Sequence, residues 1–161
     1  MRVCFVCSGN ICRSPTAEVV MQQLVDDAGL AGEVALDSAG TGAWHVGEPA
    51  DERTRRAASR RGLHIRHRAR QLAPSELATF DLLVAMDQSH LAHLQQLALR
   101  HGGGAKLALL RSFDPASEGD LDVPDPYYGD PSGFELVLDQ CQAACRGLLT
   151  HLLGELRAPD L

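Results

Sequence analysis

A cysteine and an arginine with five residues between them, Cys7-Ser8-Gly9-Asn10-Ile11-Cys12-Arg13, are the residues of this chain best suited to chemistry, and Ser14-Pro15 follow directly. Gly9 and Asn10 tolerate backbone angles that most residues avoid, so a loop built on them can turn its amides inward. Added to the positive end of a following helix, those amides make a nest for a phosphate-sized dianion. The same field favours the anionic form of a thiol at its mouth, so Cys7 is expected to act as a thiolate nucleophile. Arg13 offers a planar fork that grips two phosphate oxygens and spreads transition-state charge, which the point charge of a lysine does less well. A core cysteine followed by an ordinary turn is the plainer alternative. It leaves the joint occurrence of Gly, Asn, Arg, Ser and Pro unexplained.

Thiolate attack on a phosphate ester also requires that the leaving group be expelled. The conjugate acid of a phenolate has a pKa of about 10, so at neutral pH a general acid is worth roughly 10² to 10⁴ in rate. The acidic stretch between Arg111 and Arg146 offers Asp114, Asp120, Asp122, Asp125 and Asp130, and pattern alone does not choose among them. Asp125-Pro126-Tyr127-Tyr128-Gly129-Asp130 is the most suggestive segment, because Pro126 stiffens it and two of the scarce aromatics stand beside the acid. Its composition is equally that of an ordinary turn.

Positioning these groups calls for strands that end where the loops begin. Apolar runs of strand length, Val3 to Val6, Val34 to Leu36, Leu82 to Ala85 and Leu107 to Leu110, alternate with helical patterns. The alternation predicts a three-layer α/β fold with a central four-stranded parallel sheet, helices on both faces and the phosphate-binding loop after the first strand. Pro15 suits the first position of a helix, with Ser14 as its N-cap. Ala17, Val20, Met21, Leu24 and Ala28 recur at helical spacing, and Gly29 marks the stop. A second helix is expected from Asp51 as N-cap to Gly62, and a third from about Gln88 to Leu99. The last follows the apolar stripe from Phe134 to Leu156, on which Cys141 and Cys145 are read as core residues. Residues 40 to 50 and 111 to 133, rich in Gly, Pro and acids, are read as loops. Long loops at the carboxyl ends of parallel strands are where such sheets bind ligands. The pairs His64/His67 and His90/His93 lack cysteine or carboxylate partners at matching spacing, so both are taken as incidental and no metal is expected.

With 161 residues, 45% of them hydrophobic and 22% charged, a single domain over residues 1–161 and one soluble core are expected. The first apolar run is too short for a signal peptide or a membrane span, and five cysteines without a repeated C-x-x-C spacing fit a reducing compartment. A cytoplasmic location is expected, with leaderless export left open. The net charge of -6 argues against nucleic acid as a partner. Charge is nonetheless segregated: Arg53 to Arg70 holds eight arginines and no acid, and Asp114 to Asp139 reverses the sign. Two solvated faces are the plain reading, and steering of acidic phosphoproteins by the arginines is the sharper one.

V-C-S-G-N-I-C-R-S-P-T-A-E near the start and D-P-Y-Y-G-D from Asp125 resemble the low-molecular-weight protein tyrosine phosphatases. Asp37-Ser38-Ala39-Gly40-Thr41, Trp44-His45, His67-Arg68-Ala69-Arg70-Gln71 and Ala85-Met86-Asp87 extend the likeness across essentially the whole chain, particularly to actinobacterial members. The resemblance implies a phosphoric monoester hydrolase that forms a phosphocysteine on Cys7. It implies that Arg13 binds phosphate and that Asp125 protonates the leaving group and then activates water. Ser8, Gly9, Asn10, Ile11, Cys12 and Ser14 would line the phosphate, with Ser14 donating a hydrogen bond to the thiolate. Asn10, Ser38 and His67 would hold the loop in shape, and Trp44, Tyr127 and Tyr128 would wall a deep cleft suited to an aromatic ring. No cofactor is implied.

Phosphotyrosine-containing proteins are the implied partners, together with a bacterial tyrosine kinase, with phosphate-like anions as inhibitors and no membrane insertion. Related arginine phosphatases carry Thr at the position of Ile11 and lack the paired tyrosines, so both departures point to tyrosine. Arsenate reductases on this fold need a further cysteine pair near residues 80 to 90, a stretch that here contains none. A cysteine phosphocarrier of a sugar-transport system is one alternative, opposed by Arg13 and Asp125. A catalytically silent phosphotyrosine-binding module is another, opposed by an intact Cys7 and Asp125. Cys12, on the same loop, is expected to act as the resolving thiol for an oxidised Cys7.

Overall fold

Val3, Phe5 and Cys7 alternate with Cys4 and Val6 along the first strand, β1 (Arg2–Cys7), and all five are buried, so this strand is covered on both faces. In the computed structural model, which describes residues 1–158, β1 lies inside a four-stranded parallel sheet of order β2-β1-β3-β4. Its neighbours are β2 (Ala35–Gly40), β3 (Leu82–Ala85) and β4 (Lys106–Leu109). Val3, Phe5, Leu82 and Val84 face a core shared with α1 (Arg13–Asp27), α2 (Glu52–Ser59) and α4 (Ser132–Arg157). Cys4, Val6, Leu83 and Ala85 face a second core with α3 (Gln88–His101). Helices thus cover both faces, as the alternating patterns predict.

Because β2 lies on one side of β1 while β3 and β4 lie on the other, the strand order reverses between β1 and β3. A crevice opens at such a switch point, outside the carboxyl ends of the strands. The loop after β1 begins with Ser8 and the turn after β3 begins with Met86-Asp87, so the two meet there.

Two local expectations need correction. β2 runs to Gly40, well beyond Leu36, because the polar pair Asp37-Ser38 hides the strand pattern; Ser38 is buried with its hydroxyl fully hydrogen-bonded. α1 starts at Arg13, so Ser14 stands inside the first turn and Cys12 takes the N-cap place without a side-chain bond. The Arg53 to Arg70 stretch is largely solvated, as its plain reading expects, and partly paired. Arg53 pairs with Asp51, Arg56 with Glu52, Arg61 with Glu135 and Asp139, and Arg70 with Asp37 and Glu76. Arg60 also lies 3.6 Å from Glu135, so five of the eight arginines have a carboxylate partner among the described residues. Elsewhere the pattern holds: Asp51 caps α2 by accepting from the Arg53 amide at 2.8 Å, Gly29 adopts a φ of 70° just past α1, and Cys141 and Cys145 are wholly buried. Among the described residues, no helix is long and apolar enough to cross a membrane.

Candidate active site

β1 carries Cys7 to the crevice, and the chain then turns through Ser8–Cys12 with no regular structure before α1 begins. Asn10 makes the turn possible with a φ of 59°, a left-handed conformation that asparagine enters more readily than bulkier residues. Gly40 lets the end of β2 pass the loop, since a Cβ there would stand 2.6 Å from the Ser8 carbonyl oxygen. Among the described residues, no backbone N–H from Ser8 through Cys12 donates to an acceptor in the protein. With the free amides of the first turn of α1, these donors remain available to an anion.

A chain of hydrogen bonds behind the loop fixes the proton on Ser14. The backbone N–H of Arg70 can only donate, and it meets Asn10 Oδ1 at 3.0 Å; His67 Nε2 donates to the same oxygen at 2.7 Å. Asn10 Nδ2 must therefore be the donor to Ser14 Oγ at 2.8 Å and to Ser38 Oγ at 3.0 Å. Already an acceptor, the Ser14 hydroxyl directs its proton to Cys7 Sγ, 2.9 Å away. Ser38 passes its own proton to Glu18 Oε1 at 2.6 Å. Burial pushes the Glu18 carboxyl up to about 7 and the His67 imidazole below its ordinary value. His67 does have carboxylate neighbours that its sequence spacing conceals: Nδ1 lies 3.6 Å from Glu18 and 3.9 Å from Asp37.

Arg13 reaches across the switch point. Its Nη1 is firmly held, 2.8 Å from Asp87 Oδ2 and 3.1 Å from the Val123 carbonyl, whereas Nη2 has only distant neighbours, Asp125 Oδ2 at 3.6 Å and His90 Nε2 at 3.5 Å. With at most one of its two protons directed to His90, Nη2 keeps a donor for an anion. Burial alone would raise the Asp87 carboxyl, but hydrogen bonds from Ser89, the His90 amide and Arg13 outweigh it and hold Asp87 below its ordinary value. The acidic loop is brought over the site by the Val123 amide donating to Met86 O at 2.8 Å and by Arg111 donating to Asp122 O at 2.8 Å.

Of the acids that sequence leaves open, Asp125 faces Arg13, while Asp122 accepts from the Gln88 amide at the start of α3 and Asp130 from the Ser132 amide at the start of α4. Cys7, Ser8, Gly9, Ile11, Cys12, Arg13 and Asp125 floor a cleft of about 460 Å³ whose walls are Trp44, His45, Tyr127 and Tyr128. The two tyrosines meet edge to face with centroids 4.8 Å apart, and Arg53 holds them in place by donating to the Tyr127 carbonyl at 3.2 Å. Asn10, Ser14, Ser38 and His67 stand behind the cleft and not in its wall. Sequence reasoning assigned no role to Asp87, His90, Val123 or Arg53. Only Asp87 had a usable signal, its place just past a strand at the switch point.

A buried thiol that accepts a hydrogen bond, unspent amides and an arginine facing a carboxylate together have the chemistry to receive a phosphate ester. The family model for low molecular weight phosphotyrosine protein phosphatase matches residues 2–158. A low molecular weight protein-tyrosine-phosphatase of Streptomyces coelicolor is 54% identical over 149 residues, spanning 92% of this chain and 91% of its own. A protein tyrosine phosphatase structure from Entamoeba histolytica, with Hepes in its active site, superposes with a TM-score of 0.90 at 35% identity, covering 96% of this chain and 98% of that one. A Drosophila arginine phosphatase structure gives a TM-score of 0.90 at 31% identity, covering 99% of this chain and 100% of that one. This chain belongs to the low molecular weight phosphotyrosine protein phosphatases, a family of hydrolases.

Proposed function

We propose that this protein hydrolyses phosphotyrosine in proteins through a phosphocysteine on Cys7. The observation that carries the reading is the meeting of Cys7 from β1, Arg13 from α1 and Asp125 from the acidic loop in one aromatic-walled cleft. Cys7 Sγ attacks phosphorus while the loop amides and Arg13 Nη2 hold the phosphoryl oxygens, and the ester bond to the phenol breaks. Asp125 gives its proton to the departing oxygen. Its carboxylate then takes a proton from the water that attacks phosphorus, the P–S bond breaks, and phosphate leaves with Cys7 again a thiolate. Ser14 stabilises that thiolate by its hydrogen bond, and Asn10, Ser38 and His67 keep Ser14 in place.

Ile11, Trp44, Tyr127 and Tyr128 give the cleft an apolar lining that suits a phenyl ring better than a guanidinium or a short serine side chain. The partners are accordingly phosphotyrosine proteins and the tyrosine kinase that modifies them, in the cytoplasm, with residues 1–161 acting as one domain without a cofactor. Initial rates on phosphotyrosine, phosphoserine and phosphoarginine peptides test the reading, with acid-quenched mass spectrometry to catch phosphate on Cys7. Phosphotyrosine should be preferred and Cys7→Ser inactive. Equal efficiency on phosphoarginine would overturn the substrate assignment, and full activity in Cys7→Ser would overturn the mechanism.

A further inference from the structure

His90 is almost fully buried, with 2% of its surface exposed, yet it projects from the first turn of α3 into polar surroundings. Nε2 lies 2.8 Å from Ser8 Oγ and 3.5 Å from Arg13 Nη2, and Nδ1 lies 3.2 Å from Asp87 Oδ1. The charges around the ring settle its tautomer. A guanidinium can only donate and an ionised carboxylate can only accept, so the arrangement requires a lone pair on Nε2 and the proton on Nδ1. Nδ1 is off the line of a hydrogen bond to Asp87, so this side of the ring is held by charge and burial alone. Burial, reinforced by the neighbouring Arg13, pushes the imidazole down to about 4, so the ring stays neutral at working pH. Ser8 then donates its hydroxyl proton to Nε2.

One nitrogen is therefore shared by the first residue of the phosphate loop and by the arginine at its far end. Asp87 closes the circuit, since its Oδ2 takes Arg13 Nη1 while its Oδ1 faces His90. Core filling alone would not call for an imidazole here. An apolar side chain of equal volume would avoid a buried Nδ1 without a hydrogen bond, which is a cost to stability.

We propose that His90 is a positioning residue that sets the aperture of the phosphate loop, tying Ser8 to Arg13 through Nε2 so that the loop amides and Arg13 Nη2 stand at the spacing a phosphate dianion needs. The proposal rests on the hydrolytic reading for its turnover consequences, but not for its binding ones. Its signature is an effect on the anion itself and not on the organic part of the substrate. Loss of the Nε2 acceptor should weaken competitive inhibition by inorganic phosphate and lower kcat/KM by a similar factor, about 3- to 10-fold for one hydrogen bond.

The test compares His90→Ala, His90→Gln, His90→Asn and Ser8→Ala with wild type, measuring phosphate inhibition, kcat and KM on a phosphotyrosine peptide, and thermal midpoints. Glutamine can carry its amide oxygen to the position of Nε2 while its NH₂ faces Asp87. Asparagine reaches only as far as Nδ1. Glutamine should restore phosphate affinity to within about twofold of wild type while asparagine and alanine do not. The Ser8→Ala and His90→Ala losses should also fail to add in the double variant. Unchanged phosphate inhibition in a folded His90→Ala protein, or equal behaviour of the glutamine and asparagine variants, overturns the proposal. Should His90→Ala not fold, the glutamine and asparagine pair with Ser8→Ala still decides it. If wild type itself leaves phosphotyrosine uncleaved, the hydrolytic reading fails, and phosphate binding by titration calorimetry across the same variants still reads the role of His90.

Discussion

The phosphate loop and the acidic loop face each other across one cleft, but they are held in opposite ways. Asn10 is wholly buried and makes four hydrogen bonds, and Ser14 and Ser38 around it are also wholly buried. Asp125 is 44% exposed on its side chain, Tyr128 is 89% exposed, and their loop is tied down through Val123, Arg111 and Arg53. The difference follows from what each must do. Amides aimed at a dianion must be fixed before substrate arrives, or the cost of ordering them is subtracted from binding and catalysis. On the proposed reading, a proton donor and an aromatic wall must admit a protein substrate and release a product, which a buried loop would obstruct.

Substitutions on the two sides should therefore separate chemistry from stability. Arg13→Ala is expected to have the largest effect, removing the phosphate grip and leaving Asp87 without its cation, so that activity falls to background. Asp125→Asn should slow phosphotyrosine turnover by roughly 10² to 10⁴ with an unchanged thermal midpoint, because an exposed side chain on an open loop contributes little to the fold. A drop in midpoint comparable to that of a core substitution would break the contrast between the loops. Asn10→Ala belongs on the other side. Leaving Ser14, Ser38, His67 and the Arg70 amide short of partners should cost about 1–3 kcal/mol, or several degrees of thermal midpoint, and lower activity less than Asp125→Asn does. Calorimetry and steady-state rates on the same preparations check both.

How much of this was legible beforehand follows the same division. The phosphate loop is contiguous, so Cys7, Gly9, Asn10 and Arg13 announce their chemistry in seven residues, and the parallel sheet is legible from Val3 to Val6 and Leu82 to Ala85. Groups that act on the loop from other elements are not. Asp37-Ser38 interrupts the apolar pattern of β2 because Ser38 is buried by hydrogen bonds and not by hydrophobicity. His90 stands in an H-x-x-H pair that suggests a metal, yet it is buried in line with Leu94 one turn on, while His93 is exposed, so the pair does not converge on one site. Arg53 reads as one charge in a basic run until folding brings Asp51 and Tyr127 to it. Ser14 has the composition of an N-cap, and only the position of Cys7 Sγ shows that its hydroxyl is committed elsewhere. The choice of Asp125 over its acidic neighbours likewise depended on resemblance, since the long connection from β4 gives no clue as to which carboxylate will face Arg13.

The smallest effect concerns Cys12, which lies on the rigid side and should be silent until the protein is oxidised. Peroxide converts the Cys7 thiolate to a sulfenic acid with loss of hydroxide; a Cys12 thiolate attacking that sulfur expels a second hydroxide and forms a disulfide, which dithiothreitol reduces. Cys12 is poorly prepared for its half of this exchange. Burial pushes its thiol up to about 12, so at neutral pH it holds its proton, and its thiolate fraction grows tenfold with each pH unit below that value. Protection by Cys12 should consequently be weaker near pH 6 than near pH 9, with over-oxidation of Cys7 gaining ground as the pH falls. Wild type and Cys12→Ser are treated with peroxide across that range and then with dithiothreitol, following recovered activity and the Cys7 to Cys12 cross-linked peptide. Equal recovery of both proteins at every pH with no cross-link would make Cys12 purely structural. Recovery that depends on Cys12 but not on pH would show that the loop opens and exposes the thiol before it reacts, and that its rigidity does not survive oxidation of Cys7.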